Sequence, residues 1–99
     1  MSYQIRFTRA AKKDLLRLYG FLLKRDPESA KRARVAIEKG IGLLRDFPFT
    51  CRKATPDDPF LRELVIQFGS AGYIALFEIE GSEMLTILAV RHQREDDYH

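Results

Sequence analysis

The apolar residues of this chain recur with two different periods. Residues 3–7 alternate between apolar and polar side chains, which predicts a short, half-buried β-strand. In residues 11–22 the apolar side chains recur every three or four positions, as in an amphipathic helix, and Thr8 is a suitable N-cap. A second stripe of the same period covers residues 30–44 and follows Asp26-Pro27-Glu28, a typical helix start. The pattern predicts one strand followed by two helices.

The two helices are predicted to pack as an antiparallel hairpin, because only the turn around Arg25 and Asp26 separates them. Phe47-Pro48 is expected to end the second helix, since the residue before a proline disfavours helical geometry. Residues 49–59 are rich in proline and aspartate and are predicted to form a loop.

Three further strands are predicted at about residues 61–68, 73–80 and 83–91. A two-residue loop at Gly81-Ser82 would place Glu80 opposite Glu83. The glycine-containing turn before Tyr73 would place that residue opposite Phe68. This register determines which side chains share a face of the sheet.

One face of the sheet is expected to cover the helices and the other to remain open. The covered face is predicted to carry Leu64, Ile66, Phe68, Tyr73, Ala75, Phe77, Ile79, Met84, Leu88 and Val90, with Arg62 at its rim. The open face is predicted to carry Glu63, Val65, Gln67, Ile74, Leu76, Glu78, Leu85, Ile87, Ala89 and Arg91. Because the open face is half apolar, it is a candidate docking surface.

The predicted architecture is an α+β fold of order β-α-α-β-β-β. An antiparallel sheet carries an α-helical hairpin on one face, and residues 1–99 form a single domain.

The amino-acid composition limits the cellular location of the protein and the kinds of metal or disulfide site that it can form. The single cysteine, Cys51, excludes an internal disulfide and a four-thiolate zinc site, and no metal or cofactor is predicted. The first residues are too polar for a signal peptide and no apolar run is long enough to cross a membrane, so a cytoplasmic protein without a membrane partner is expected. The net charge of +3 suits an anionic partner. Basic residues concentrate between Arg6 and Arg34, as a solvated helix surface or a binding surface.

Two segments carry a resemblance to a known family. Leu61-Arg62-Glu63-Leu64 leads to Gly72-Tyr73, and the chain ends with the run from Ile87 to Glu95 followed by Tyr98. With the order of elements and the length, they resemble the RelE/ParE toxins of bacterial type II toxin–antitoxin systems, above all the ParE branch of plasmid stabilisation toxins. The resemblance implies a cognate antitoxin, ParD-like or RelB-like, as a partner.

The two branches of that family differ in their chemistry. RelE-like toxins cut messenger RNA on the ribosome, and the resemblance implies that cations on the open face stabilise the reacting phosphate. The corresponding positions here are Val65, Gln67 and Ile74, a later arginine position is Gln93, and only Tyr98 matches the pattern. Three neutral side chains cannot balance the charge of a pentacovalent phosphate, so RelE-like catalysis is not expected.

The candidate site residues are therefore assigned to partner binding, and they are Arg62, Arg91, His92, Arg94 and Tyr98. A structural alternative accompanies each of them; Arg62, for example, could pair with Asp57 or Asp58. No catalytic residue is predicted under the leading hypothesis. An alternative hypothesis assigns RNA cleavage to Arg62, Arg91, His92 and Tyr98.

Three functions remain open at this point. The leading hypothesis is a DNA gyrase inhibitor of the ParE type that is neutralised by its antitoxin and has no active site of its own. The second is a ribosome-dependent endoribonuclease, with the ribosome and messenger RNA as partners. The third is a protein with the toxin fold that only binds its antitoxin.

Overall fold

The helices and strands follow the predicted order, with one additional strand. The computed structural model describes residues 2–94, and Met1 and residues 95–99 lie outside that range. In chain order the elements are β1 (Gln4–Phe7), α1 (Arg9–Arg25), α2 (Pro27–Leu43), a 3₁₀ turn (Pro48–Thr50), β2 (Arg52–Thr55), β3 (Asp58–Phe68), β4 (Ala71–Glu80) and β5 (Met84–His92). The α+β class is confirmed.

Both helices begin where the capping residues indicate. The hydroxyl oxygen of Thr8 accepts a hydrogen bond from the Ala11 amide at 3.0 Å and caps α1. The carboxylate of Asp26 accepts from the Glu28 amide at 3.1 Å and caps α2, with Pro27 in the first turn. The two helices pack against each other, so the predicted helical hairpin is confirmed.

The strands form one five-stranded sheet in the order β1-β5-β4-β3-β2. The pairs β3–β4 and β4–β5 are antiparallel, as predicted; β2, which was not predicted, pairs antiparallel with β3, and β1 runs parallel to β5. The sheet is therefore mixed rather than wholly antiparallel. The alternation in residues 3–7 indicates a strand but carries no information about its neighbour or its direction.

Strand β2 lies in the segment that was predicted to be a loop. Arg52 and Lys53 pair with Glu63 and Arg62, and β3 begins at Asp58, earlier than predicted. This strand is short, lies at the sheet edge and exposes most of its polar side chains. It therefore lacks the apolar alternation that would reveal it.

The predicted β3–β4 turn was wrong in length but not in the faces it produces. Phe68 pairs with Ala71 rather than with Tyr73, so the loop contains two residues. A register shift of two residues keeps every side chain on the same face, because side chains alternate with a period of two. Ile66 and Tyr73 accordingly lie in the core beneath the helices, as predicted.

The β4–β5 turn was also wrong, and here the faces change. Glu80 pairs with Met84 and not with Glu83, so the loop has one residue more than predicted. A shift of one residue moves side chains to the other face. Leu85 and Ile87, predicted for the open face, are therefore fully buried in the core.

A β-bulge restores the predicted faces near the end of β5. Leu76 pairs with Ala89 and Phe77 with Ile87, which leaves Leu88 outside the pairing. Met84 and Leu88, predicted for the covered face, are only half-buried. Beyond the bulge Val90 is fully buried in the core and Arg91 pairs with Ile74, as the predicted faces require.

Candidate functional site

The centre of the open face is neutral and mostly apolar. Val65 pairs with Ile74, Leu76 pairs with Ala89, and Gln67 lies two residues beyond Val65 on the same face. Val65 is 38% exposed and Ile74 is 6% exposed. The positions where RelE-like toxins would carry cations are thus adjacent to one another and carry no charge.

Charged residues flank this neutral centre as ion pairs. The Nε atom of Arg52 lies 2.9 Å from a Glu63 oxygen, and an Nη atom of Arg6 lies 3.2 Å from a Glu80 oxygen. Hydrogen bonds from Thr86 and Arg6 hold the pKa of Glu80 below its usual value. These carboxylates are engaged by cations, which is unlike the arrangement of a general base that must accept a proton.

Arg62 is bound to the backbone of its own chain. Its guanidinium donates to the carbonyl oxygens of Pro59 at 2.7 Å, Cys51 at 2.7 Å and Phe49 at 3.2 Å. Its Cζ atom also lies 5.2 Å from the centre of the Phe49 ring. Arg62 thereby ties the 3₁₀ turn and Cys51, the residue before β2, to β3. Its observed partners are carbonyls and a ring instead of the aspartates predicted for the structural alternative.

The residues of the alternative catalytic set are not brought together. Arg62 pairs with Phe77, whereas His92 pairs with Tyr73, four residues away along β4. That separation is about 13 Å at the usual rise of a strand. Arg91 and His92 are consecutive and project to opposite faces. Within the described residues, Arg62, Arg91 and His92 therefore form no common site, and Tyr98 lies outside the described residues.

His92 belongs to the end of the sheet beneath α1. Its ring meets the Tyr73 ring edge-on at 5.6 Å between centres, and its Nδ1 atom accepts a hydrogen bond from the Arg94 amide at 3.1 Å. Arg91 donates to the carbonyl oxygen of His92 at 3.3 Å. Of the predicted partner-binding residues, His92 and Arg94 are therefore close neighbours.

An apolar groove runs between the two helices. It has a volume of about 380 Å³, and its walls include Leu15, Leu16 and Tyr19 from α1 and Ile37 from α2. Leu16, which lines the groove, is 72% exposed. The apolar lining suits the apolar face of a partner helix.

With this geometry established, comparison with known proteins identifies the family. The model of a family described as ParE toxin of type II toxin-antitoxin system, parDE, matches residues 5–97. This chain belongs to the ParE toxin family. It is thus a toxin of a type II toxin–antitoxin system, and membership of such a system implies an antitoxin partner.

Two known proteins illustrate the similarity of this ParE-family toxin. Toxin RelE1 of Caulobacter vibrioides is 30% identical over 84 residues, which cover 85% of this chain and 87% of the relative. A solved structure described as the chromosomal ParDE TA system from P. aeruginosa superposes with a TM-score of 0.71 at 23% identity, covering 96% of this chain and 98% of that one. The second comparison supports the fold alone.

Sequence reasoning missed one buried charged residue of the toxin. Asp14 is 3% exposed, and its carboxylate accepts a hydrogen bond from the Val90 amide at 2.9 Å, just after the bulge. Its other oxygen lies 3.8 Å from an Arg17 nitrogen. The signal was present, because Asp14 lies three residues after Ala11 on the buried stripe of α1.

The backbone around Gly72 explains why a glycine precedes Tyr73 in this ParE-family toxin. Gly72 has φ of 152°, and a Cβ atom there would collide with the carbonyl oxygen of Ile66 on the paired strand.

Residues 2–94 contain no group of three or more His, Cys, Asp or Glu side chains placed to hold a metal ion. No helix within the same residues combines the length and apolar character needed to cross a membrane.

Proposed function

We propose that this ParE-family toxin arrests growth by trapping DNA gyrase on cleaved DNA, without an active site of its own. The observation that carries the proposal is the neutral centre of the open face, formed by Val65, Gln67 and Ile74. Cleavage of RNA requires charge stabilisation at the reacting phosphate, and these three positions supply none, which leaves Arg91, the partner of Ile74 on β5, as a neighbouring cation without the others that RelE-like toxins carry. Family membership supports the same conclusion, because the sequence resembles gyrase poisons of the ParE type.

Pulsed expression of the full-length toxin in bacteria tests this function against its two alternatives. Gyrase trapping predicts a DNA damage response and filamentation before any loss of messenger RNA. Rapid cleavage of messengers would instead support the ribosome-dependent nuclease, and undisturbed growth would support a protein that only binds its antitoxin. A variant with Val65→Lys, Gln67→Lys and Ile74→Arg should gain little RNA cleavage, because a catalytic site also needs placement within about half an ångström.

We propose further that the antitoxin neutralises the toxin by laying an amphipathic helix in the apolar groove. The exposed Leu16 and the apolar walls of the groove support this mode of binding. Leu16→Glu should sharply weaken antitoxin binding measured by calorimetry. Val35→Glu is the matched control, because Val35 is also exposed but does not line the groove. Equal affinities of the two variants would place the antitoxin elsewhere.

The predicted partner-binding residues near the C-terminus are proposed as contacts to the target. Arg91 lies on the open face and Arg94 is exposed at the end of the described chain. A chain stopped after Gln93 removes Arg94 and Tyr98 and should keep its melting temperature while losing growth arrest. Full growth arrest by this truncated chain would move the target contact to another surface.

A further inference from the structure

A second concave region lies on the other side of α1, between that helix and the β3–β4 turn. Its volume is about 710 Å³, and we call it the basic pocket. The charged and ring-bearing side chains that line it are Arg17, Phe21, Arg25, Phe68, Tyr73, His92 and Arg94. None of the described residues that line it is acidic.

The rings of the basic pocket form two separate walls. On the sheet side, the centres of the Phe68 and Tyr73 rings lie 6.1 Å apart and the ring planes meet at 31°. The Tyr73 ring also contacts the His92 ring edge-on. On the helix side, Phe21 is 59% exposed and the Arg25 guanidinium lies 4.9 Å from its ring centre. An exposed ring beside a guanidinium provides a flat surface on which another ring can stack.

The positive charge of the pocket continues along α1. This helix carries Arg9, Lys12, Lys13, Arg17, Lys24 and Arg25, and Asp14 is its single acidic residue. Asp14 lies 3.8 Å from Arg17 and partly balances it, so the charge that remains at the pocket comes chiefly from Arg25 and Arg94. Arginine matches the geometry of a phosphate because its planar fork can donate two parallel hydrogen bonds.

Three features of the basic pocket fit one class of ligand. A ring surface binds a base, the guanidiniums bind phosphates, and a basic helix leads toward the pocket; this combination is typical of sites for single-stranded nucleic acid. We propose that the basic pocket binds a nucleotide of single-stranded DNA. The inference rests on the proposed function, since DNA cleaved by gyrase would supply single-stranded nucleotides at the cleaved end.

An acidic peptide is the competing occupant, and the exposed ring argues against it. Carboxylates would be held by the arginines but would make no stacking contact with the Phe21 ring, which is 59% exposed. Stacking on Phe21 therefore distinguishes the two ligands, because every base has a ring face.

The test is an anisotropy titration of the full-length toxin with a short, labelled oligothymidylate. Phe21→Ala should weaken binding by about fivefold to a hundredfold, the range for loss of one stacked base. Phe60→Ala is the control, because Phe60 is a comparably exposed phenylalanine outside the pocket. Both substitutions remove exposed rings, so neither should prevent folding.

The charges are tested by the salt dependence of binding. Replacing Arg25 and Arg94 together with glutamine should reduce the slope of log affinity against log salt by about 0.7 for each lost phosphate contact. The control replaces Lys39 and Lys53, which are exposed and outside the pocket, with glutamine and should leave the slope nearly unchanged.

Several results would overturn the inference. These are no binding of oligothymidylate by the unmodified toxin at low salt, equal behaviour of pocket and control variants, or tighter binding of an oligouridylate or a blocked acidic peptide. The gyrase function is measured separately. A toxin that binds oligothymidylate through Phe21 but never traps gyrase disproves only the function, whereas trapping by a toxin whose pocket variants bind normally disproves only the pocket.

Discussion

Asp14 offers the sharpest test of how the fold is held together. The bulge in β5 lies against the start of α1, and two side chains of that region bind its backbone. The Thr8 hydroxyl donates to the carbonyl oxygen of Leu88 at 3.1 Å, and the Asp14 carboxylate accepts from the Val90 amide at 2.9 Å. Because the bulge determines which residues of β5 face the core, these bonds secure the register of the whole strand.

Replacing Asp14 with alanine should lower the free energy of unfolding. A buried amide left without its acceptor costs about 1–3 kcal/mol. Alanine is the better helix former by roughly 0.5 kcal/mol, which offsets part of that loss. The net effect is a loss of about 0.5–2.5 kcal/mol, or a fall in Tm of roughly 2–20 °C for a domain of this size. Asp14→Asn keeps an oxygen for the Val90 amide and should lose less.

The assay is thermal and urea unfolding followed by circular dichroism, with Glu38→Ala as the matched control. Glu38 is also an acid on a helix paired with an arginine, but its side chain is 63% exposed, so its removal should change stability little. Equal stability of Asp14→Ala and Glu38→Ala would refute the argument that the carboxylate holds the bulge.

Three further predictions concern other parts of the molecule. Hydrogen bonds from Ser29 and from backbone amides hold the pKa of Asp26 below the ordinary value of an aspartate. The ionised cap therefore stabilises the fold at any pH above that ordinary value, and its contribution is lost as the pH falls through the lowered pKa. Asp26→Ala should therefore lower Tm more at pH 7 than in strongly acidic buffer; an equal loss at both would contradict this. Partial burial raises the pKa of the Cys51 thiol, so iodoacetamide should alkylate it more slowly near neutral pH than it alkylates a free cysteine peptide. An equal rate would be inconsistent with the raised pKa. Arg62→Ala should lower the free energy of unfolding by roughly 1–3 kcal/mol and speed amide exchange in β2. Arg62→Lys should have an intermediate effect, because an ammonium cannot reach three carbonyls. Unchanged exchange in β2 would mean that Arg62 does not hold that strand.

Local signals predicted the helices well, because capping and amphipathic spacing act within a few residues. Thr8 and Asp26 cap their helices through side-chain oxygens a few residues from the amides they bind. Pairing between strands depends on turn geometry, which composition describes poorly. One additional loop residue before Met84 was enough to turn Leu85 and Ile87 toward the core.

The candidate site also has features that the local sequence predicts and features that depend on how distant segments pack. The neutral character of Val65, Gln67 and Ile74 could be read from the sequence, and the structure brings these residues together on one face. The partners of Arg62 could not be predicted, because they are the backbone carbonyls of Phe49, Cys51 and Pro59, and every residue type presents such a carbonyl. The basic pocket could not be predicted from the sequence either, because its walls come from α1 and from residues of the sheet that are distant from α1 along the chain.

The most direct test of the central claim uses purified gyrase, supercoiled plasmid and the full-length toxin. The proposed function predicts that linear DNA with covalently attached gyrase accumulates in proportion to toxin, while messenger RNA on ribosomes treated with the same toxin stays intact. Cleaved messenger at catalytic toxin concentrations, with no trapped gyrase, would contradict the account.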